Sequence, residues 1–132
     1  HIVNISSSAG FIGMKWQTSY SATKFAVTGF SESLYVELSN TNVGITCVHP
    51  GAVATNILGA ARMDEGRRTK LLKPFKYETP PEHAARTICN AIERKRLKQV
   101  LCVDSRVLHF MNRLAPTSTL RLLRLANSRG GD

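Results

Sequence analysis

The sequence predicts an α/β fold, the C-terminal half of a doubly wound parallel sheet truncated at its N-terminus. Short β-branched apolar runs alternate with longer runs of helical period, which is the pattern of strands joined by crossover helices. The strand-like run Gly44 to His49 stops at Pro50-Gly51, a turn signal. The chain opens at His1, without methionine, directly on an apolar strand pattern, as though cut inside a larger sheet.

In order, Ile2 to Ser6 reads as a short buried strand and Ser8 to Trp16 as a loop of glycine and small residues. Gln17 to Asn40 reads as one long helix. Ala22, Ala26, Phe30, Leu34 and Leu38 recur at steps of four, with Val27 on the neighbouring ridge, so this face is expected to pack on the sheet. Gly29 costs about 1 kcal/mol in such a helix relative to alanine, which marks a place where something approaches the backbone. Gly44 to His49 is the next strand, and Pro50 cannot extend its ladder. From Asn56 to Thr79 the pattern loosens into apolar residues among charges, a length that suits a lid or binding loop. Thr79 is the expected N-cap of a following helix, with Pro80 or Pro81 in its first turn and Glu82 at its positive end. Ala84, Ala85, Ile88, Ala91 and Ile92 give that helix its stripe, Arg94-Lys95-Arg96 close it, and Gln99 to Val103 is the last strand. Ser105 to Leu125 is amphipathic in two pieces broken by Pro116.

A chain of 132 residues with 42% hydrophobic content holds one domain with a real core. The sheet-forming part is residues 1–104, including the lid 56–79, and residues 105–132 form a basic amphipathic tail. Lys and Arg total 18 against 9 acidic residues, yet residues 1–60 balance Lys15 and Lys24 against Glu32 and Glu37. The whole excess of +9 therefore lies in the second half, where it suits solvated faces, an anionic substrate group, or an anionic membrane surface met by the tail. Nucleic acid is not an expected partner, because no binding motif or interleaved aromatic residue accompanies the charge. Cys47, Cys89 and Cys102 lie in apolar runs without metal-ligand spacing, so they read as small buried residues of a reducing, cytoplasmic compartment. His1, His49, His83 and His109 have no zinc spacing and are expected in structural or surface roles; no metal is expected.

Tyr20 and Lys24 stand four residues apart on the long helix, so their side chains share a face. A phenol titrates near pH 10 in isolation, so a tyrosine that takes protons near neutrality needs a cation at hand. Lys24 is placed to be that cation. Ser7 ends the first strand and can donate its hydroxyl proton to a substrate oxygen as charge develops there, although Ser6 and Ser8 compete for the part. A base and a hydroxyl donor around one oxygen fit hydride transfer with a nicotinamide cofactor.

Asn4-Ile5-Ser6-Ser7-Ser8-Ala9-Gly10, Tyr20-Ser21-Ala22-Thr23-Lys24 and Pro50-Gly51-Ala52-Val53-Ala54-Thr55 together resemble the short-chain dehydrogenase/reductase family, in its order and at its spacings, over roughly the first hundred residues. The resemblance implies a Rossmann-like fold and an NAD(P)-dependent oxidoreductase, with NADP slightly favoured over NAD. The family spacing of thirteen residues to the tyrosine selects Ser7. It makes Tyr20 the general acid/base, Ser7 the group that polarises substrate, and Lys24 the holder of the nicotinamide ribose. Pro50, Gly51, Val53 and Thr55 would line the nicotinamide side, with the Val53 backbone near the carboxamide and Thr55 near the phosphates. It also implies a substrate lid at 56–79 and a homo-oligomer formed through helix 17–40.

The family's glycine-rich fingerprint, Gly-x-x-x-Gly-x-Gly, does not occur in the sequence, nor does its upstream catalytic asparagine, for which Asn4 stands on the wrong element. The chain is therefore expected to be the C-terminal part of a longer protein and inactive alone. The substrate expected is a small apolar or lipid-like alcohol or ketone, any anionic group on it being met by Arg67, Arg68 or Lys70. Two other readings stand beside this one: a sugar-nucleotide epimerase or dehydratase sharing the Tyr-x-x-x-Lys pair, and a non-catalytic basic interaction fragment. The Pro50 to Thr55 motif favours the dehydrogenase over the first.

Overall fold

A computed structural model of the chain describes residues 1–56, residue 66 and residues 78–128. Most of the expected lid, including Arg67, Arg68 and Lys70, lies outside the described residues. The elements are β1 (Ile2–Ile5), a 3-10 turn (Ser8–Gly10), α1 (Thr18–Glu37), β2 (Ile45–His49), α2 (Pro81–Glu93), β3 (Lys98–Val100), α3 (Val103–Leu114) and α4 (Pro116–Ser128). The strands form a parallel sheet in the order β1-β2-β3, with Ile2 beside Ile45, Ile5 beside Val48 and His49 beside Val100. Parallel strands joined by helices are the α/β architecture expected from the sequence.

Helices cover both faces of this sheet. Val3 and Val48 meet Ala84, Ile88, Leu101 and Cys102 in an apolar cluster under α2. One residue along each strand, Asn4 and Cys47 are register partners on the other face, toward α1, and Asn4 donates to Ser31 Oγ at 3.0 Å.

That second contact corrects the expected helix face. The buried residues of α1 are Ser21, Thr28 and Ser31, whereas Ala22 and Ala26 are exposed and Phe30 is 60% exposed. On that face the Thr28 and Ser31 hydroxyls are satisfied locally, whereas Ser21 Oγ is buried without a hydrogen-bond partner among the described residues. Thr28 Oγ1 bonds the Lys24 carbonyl at 3.0 Å and the Gly10 carbonyl at 3.1 Å, while Ser31 Oγ donates to the Val27 carbonyl at 2.7 Å. Small hydrogen-bonded side chains let the helix lie close to the Ser8–Gly10 turn. A Cβ on Gly10 would stand 2.8 Å from the Lys24 carbonyl and would also collide with Ser6 Oγ. Gly29, by contrast, faces open space, so nothing within the described residues approaches it.

Several boundaries move for identifiable reasons. Ser6 leaves β1 and donates its hydroxyl to the Lys24 carbonyl at 2.9 Å, tying the strand end to α1. The long helix ends at Glu37 rather than Asn40, and β2 begins at Ile45 rather than Gly44. Thr79 is not a helix cap: it bridges Val53 in parallel and its hydroxyl meets Cys102 Sγ at 3.1 Å, so Pro80 takes the cap position. Because Pro50 ends β2, β3 loses its neighbour after Val100, and Val103 opens α3 instead of closing a strand. Cys47 and Cys102 are buried, but Cys89 is exposed on α2.

The tail is the expected pair of helices, but α3 is oriented against a simple amphipathic reading. Its inner side carries polar groups: Ser105 Oγ meets Ser8 Oγ at 2.7 Å and Asn112 donates to the Phe11 carbonyl at 2.8 Å. Its apolar residues Val103, Val107, Phe110 and Leu114 point outward, Phe110 being 63% exposed. No helix among the described residues is long and apolar enough to cross a membrane.

Candidate active site

The candidate residues gather at the C-terminal end of β1 and β2, where an open parallel sheet presents its ligand crevice. Tyr20 lies in the first turn of α1, the end of a helix at which negative charge is favoured, and its side chain is 44% exposed. Lys24, one turn on, places Nζ 5.6 Å from the centroid of the Tyr20 ring. The same ammonium donates to the Ile5 carbonyl at 3.0 Å, two residues before Ser7. One cation therefore binds the tyrosine's helix to the end of the strand that bears the serine.

Ser7 caps the 3-10 turn, and its Oγ accepts from the Ala9 amide at 3.2 Å. Its own proton remains to be given elsewhere, as a polarising hydroxyl requires. The carbonyl of Ser7 accepts from the Gly10 amide at 2.9 Å and pairs with His49 Nδ1 at 3.1 Å. The competing serines are committed to structure. Ser6 Oγ is engaged with α1 at Lys24 and Thr28, and Ser8 Oγ donates to the Pro50 carbonyl at 3.0 Å beside Ser105.

Pro50 to Thr55 runs on from β2 at the same end of the sheet. The Ser8 amide donates to the Pro50 carbonyl at 2.8 Å, which fixes this turn against the serine-bearing corner. Gly51 admits no side chain, because a Cβ would meet Ser105 Oγ and Cys102 Sγ. Ala52 and Ala54 exchange hydrogen bonds with Thr79, at 2.9 and 3.0 Å, and Thr55 is exposed. The motif is thus pinned by its backbone from both sides, with Val53 and Thr55 between and beyond the pins.

His49 is a site residue whose geometry the sequence reading missed. It is 1% exposed at the end of β2, and its ring packs 5.7 Å from that of Phe11, which in turn meets His109 edge-on at 4.9 Å. Burial holds the His49 imidazole below the usual histidine range, only partly opposed by the bond to the Ser7 carbonyl. The available signal was a polar ring closing a wholly buried strand just before Pro50-Gly51. Among the described residues no three His, Cys, Asp or Glu side chains are grouped to hold a metal ion.

The family model for short chain dehydrogenases matches residues 1–66 of the chain. The oxidoreductase SadH of Mycobacterium tuberculosis, which carries that name as a putative assignment, is 34% identical over 129 residues, covering 93% of this chain and 47% of that protein. A short-chain dehydrogenase/reductase from Burkholderia phymatum, solved in complex with NAD, superposes with a TM-score of 0.66 at 26% identity, covering 86% of this chain and 48% of that one. A short-chain dehydrogenase from Sphingobium yanoikuyae, solved in complex with NADPH, shares the fold with a TM-score of 0.66 at 24% identity, over 99% of this chain and 46% of the other. The chain spans about half the length of these relatives.

Proposed function

Because the chain belongs to the short-chain dehydrogenase family, we propose that it supplies the proton-transfer half of a nicotinamide-dependent oxidoreductase acting on an alcohol or carbonyl group. The observation that carries this reading is the position of Lys24, between the ring of Tyr20 and the strand end that bears Ser7. In the oxidative direction Tyr20 Oη takes the substrate hydroxyl proton while Ser7 Oγ–H donates to the same oxygen. In the reductive direction Tyr20 returns that proton to the carbonyl oxygen. Bound nicotinamide supplies or accepts the hydride.

The residues present suit such a cofactor. Lys24 uses one N–H on Ile5 and keeps two for ribose hydroxyls, and Val53 and Thr55 lie on the pinned turn that would border the nicotinamide. The sequence of 56–79, with Leu71, Leu72 and Phe75 among basic residues, supports an apolar or lipid-like substrate bearing an anionic group. In the full-length protein, nicotinamide absorbance should report turnover of long-chain ketones or alcohols ahead of short ones. Lys24→Met should weaken NAD(P)H binding by about tenfold, the loss of one hydrogen-bonding cation. Unchanged cofactor affinity in that variant would remove Lys24 from the site.

We propose in addition that α3 and α4 rest on an anionic bilayer. Val107, Phe110, Leu114, Leu120 and Leu122 are exposed, and Arg106, Arg113, Arg121 and Arg124 accompany them against one acidic residue, Asp104. A second copy would bring the arginines of these helices near one another, whereas phosphatidylserine headgroups complement them. The full-length protein should float with phosphatidylserine-containing vesicles at least about tenfold more than with phosphatidylcholine alone, and raised salt should release it. Phe110→Glu with Leu114→Glu should abolish flotation; equal recovery with both vesicle types would refute the contact.

A further inference from the structure

His49 has no part in the proton transfer described above, yet its ring touches Ser7, one of the two residues that must be aimed at the substrate oxygen. Its Nδ1 lies 3.1 Å from the Ser7 carbonyl. A carbonyl can only accept, so this nitrogen carries the proton and Nε2 carries the lone pair. Nε2 is buried and has no hydrogen-bond partner among the described residues. A ring that leaves one nitrogen unsatisfied in the interior stays there because the other nitrogen's bond and the ring's packing hold it.

The Ser7 carbonyl is gripped from two directions, by the His49 ring and by the Gly10 amide at 2.9 Å. The Ser7 hydroxyl is oriented separately, by the Ala9 amide. If the carbonyl turns, the peptide plane turns with it and the Oγ–Ala9 alignment is lost. Serine has a single heavy-atom torsion, so the place of Oγ, from which its proton is given, follows the backbone closely. The position of His49 is itself well fixed, since Phe11 packs on its ring and Asn112 of α3 holds the Phe11 carbonyl at 2.8 Å.

We propose that His49 is a positioning residue, locked as the Nδ1–H tautomer, that sets the direction of the Ser7 hydroxyl through the Ser7 carbonyl. The inference rests on the role given to Ser7 above, so its test must separate the two.

The test is a double-mutant cycle in the full-length protein, with kcat and KM measured for wild type, Ser7→Ala, His49→Phe and the pair. His49→Phe should lower kcat by about ten- to a hundredfold, the scale of a misaligned reacting group, with little change in KM. In the Ser7→Ala background the same substitution should change kcat by less than about twofold, because the hydroxyl it aims is already gone. His49→Asn, whose amide can donate from nearly the position of Nδ1, should restore kcat to within about threefold of wild type even though it loses stability. If His49→Phe does not fold, His49→Leu carries the same expectation. Losses that multiply in the pair, or a His49→Phe or His49→Leu enzyme with wild-type kcat, would overturn the positioning role while leaving the function of Ser7 intact. A Ser7→Ala enzyme with wild-type kcat would overturn both.

Discussion

Tyr20→Phe in the full-length protein should lower turnover by a factor of about a hundred or more while leaving the fold and nicotinamide binding in place, the scale of a lost acid/base group. The geometry explains why the loss should be so selective. The phenol is half exposed at the start of α1, so removing its oxygen opens no cavity in the core. Lys24 retains its bond to the Ile5 carbonyl whatever stands at residue 20. Thermal unfolding and NAD(P)H titration of the variant should therefore match wild type, and only the chemical step should suffer. Near-wild-type turnover with the native substrate would remove Tyr20 from the mechanism.

Residues 1–132 made alone should aggregate or stay loosely folded, and calorimetric titration with NADH or NADPH should show no binding. β1 is an edge of the three-stranded sheet, with Ile2 and Ile5 exposed, and the outward face of α1 leaves Phe25, Phe30 and Val36 uncovered. At about 25 cal/mol per Å², each 100 Å² of apolar surface left in water forgoes about 2.5 kcal/mol, against a total domain stability of only about 5–15 kcal/mol. A glycine-rich pyrophosphate cradle, the other half of a dinucleotide site, does not occur in this sequence. Micromolar affinity from these residues would show that the cofactor site is complete without it.

The parts of this molecule that local rules govern were legible in the sequence. The alternation of β-branched runs and helices gave the parallel sheet, and the four-residue step brought Lys24 to Tyr20. What stayed hidden depends on tertiary partners. The inner face of α1 is made of Ser21, Thr28 and Ser31, which read as solvent-facing until the Thr28 and Ser31 hydroxyls are seen bonded to helix carbonyls and Ser31 also to Asn4 of β1. Thr79 has every local attribute of a helix cap, and a bridge to Val53 takes it instead. His49 looked like one more unpaired histidine because its partner, the Ser7 carbonyl, is 42 residues away and carries no sequence signal.

Helix α3 bears on how the protein is made. Its inner groups, Ser105 and Asn112, close on Ser8 and Phe11 across separations of 97 and 101 residues. A ribosome delivers the serine-bearing corner well before the residues of α3 that brace it. Through that interval Ser8 and Phe11 must wait with their bonds to α3 unmade, because contacts so distant in sequence form late and slowly. The nascent chain is thus kept from completing its corner until α3 has been made, and a message truncated ahead of Asn112 would yield a protein whose β1 ends in an unbraced turn.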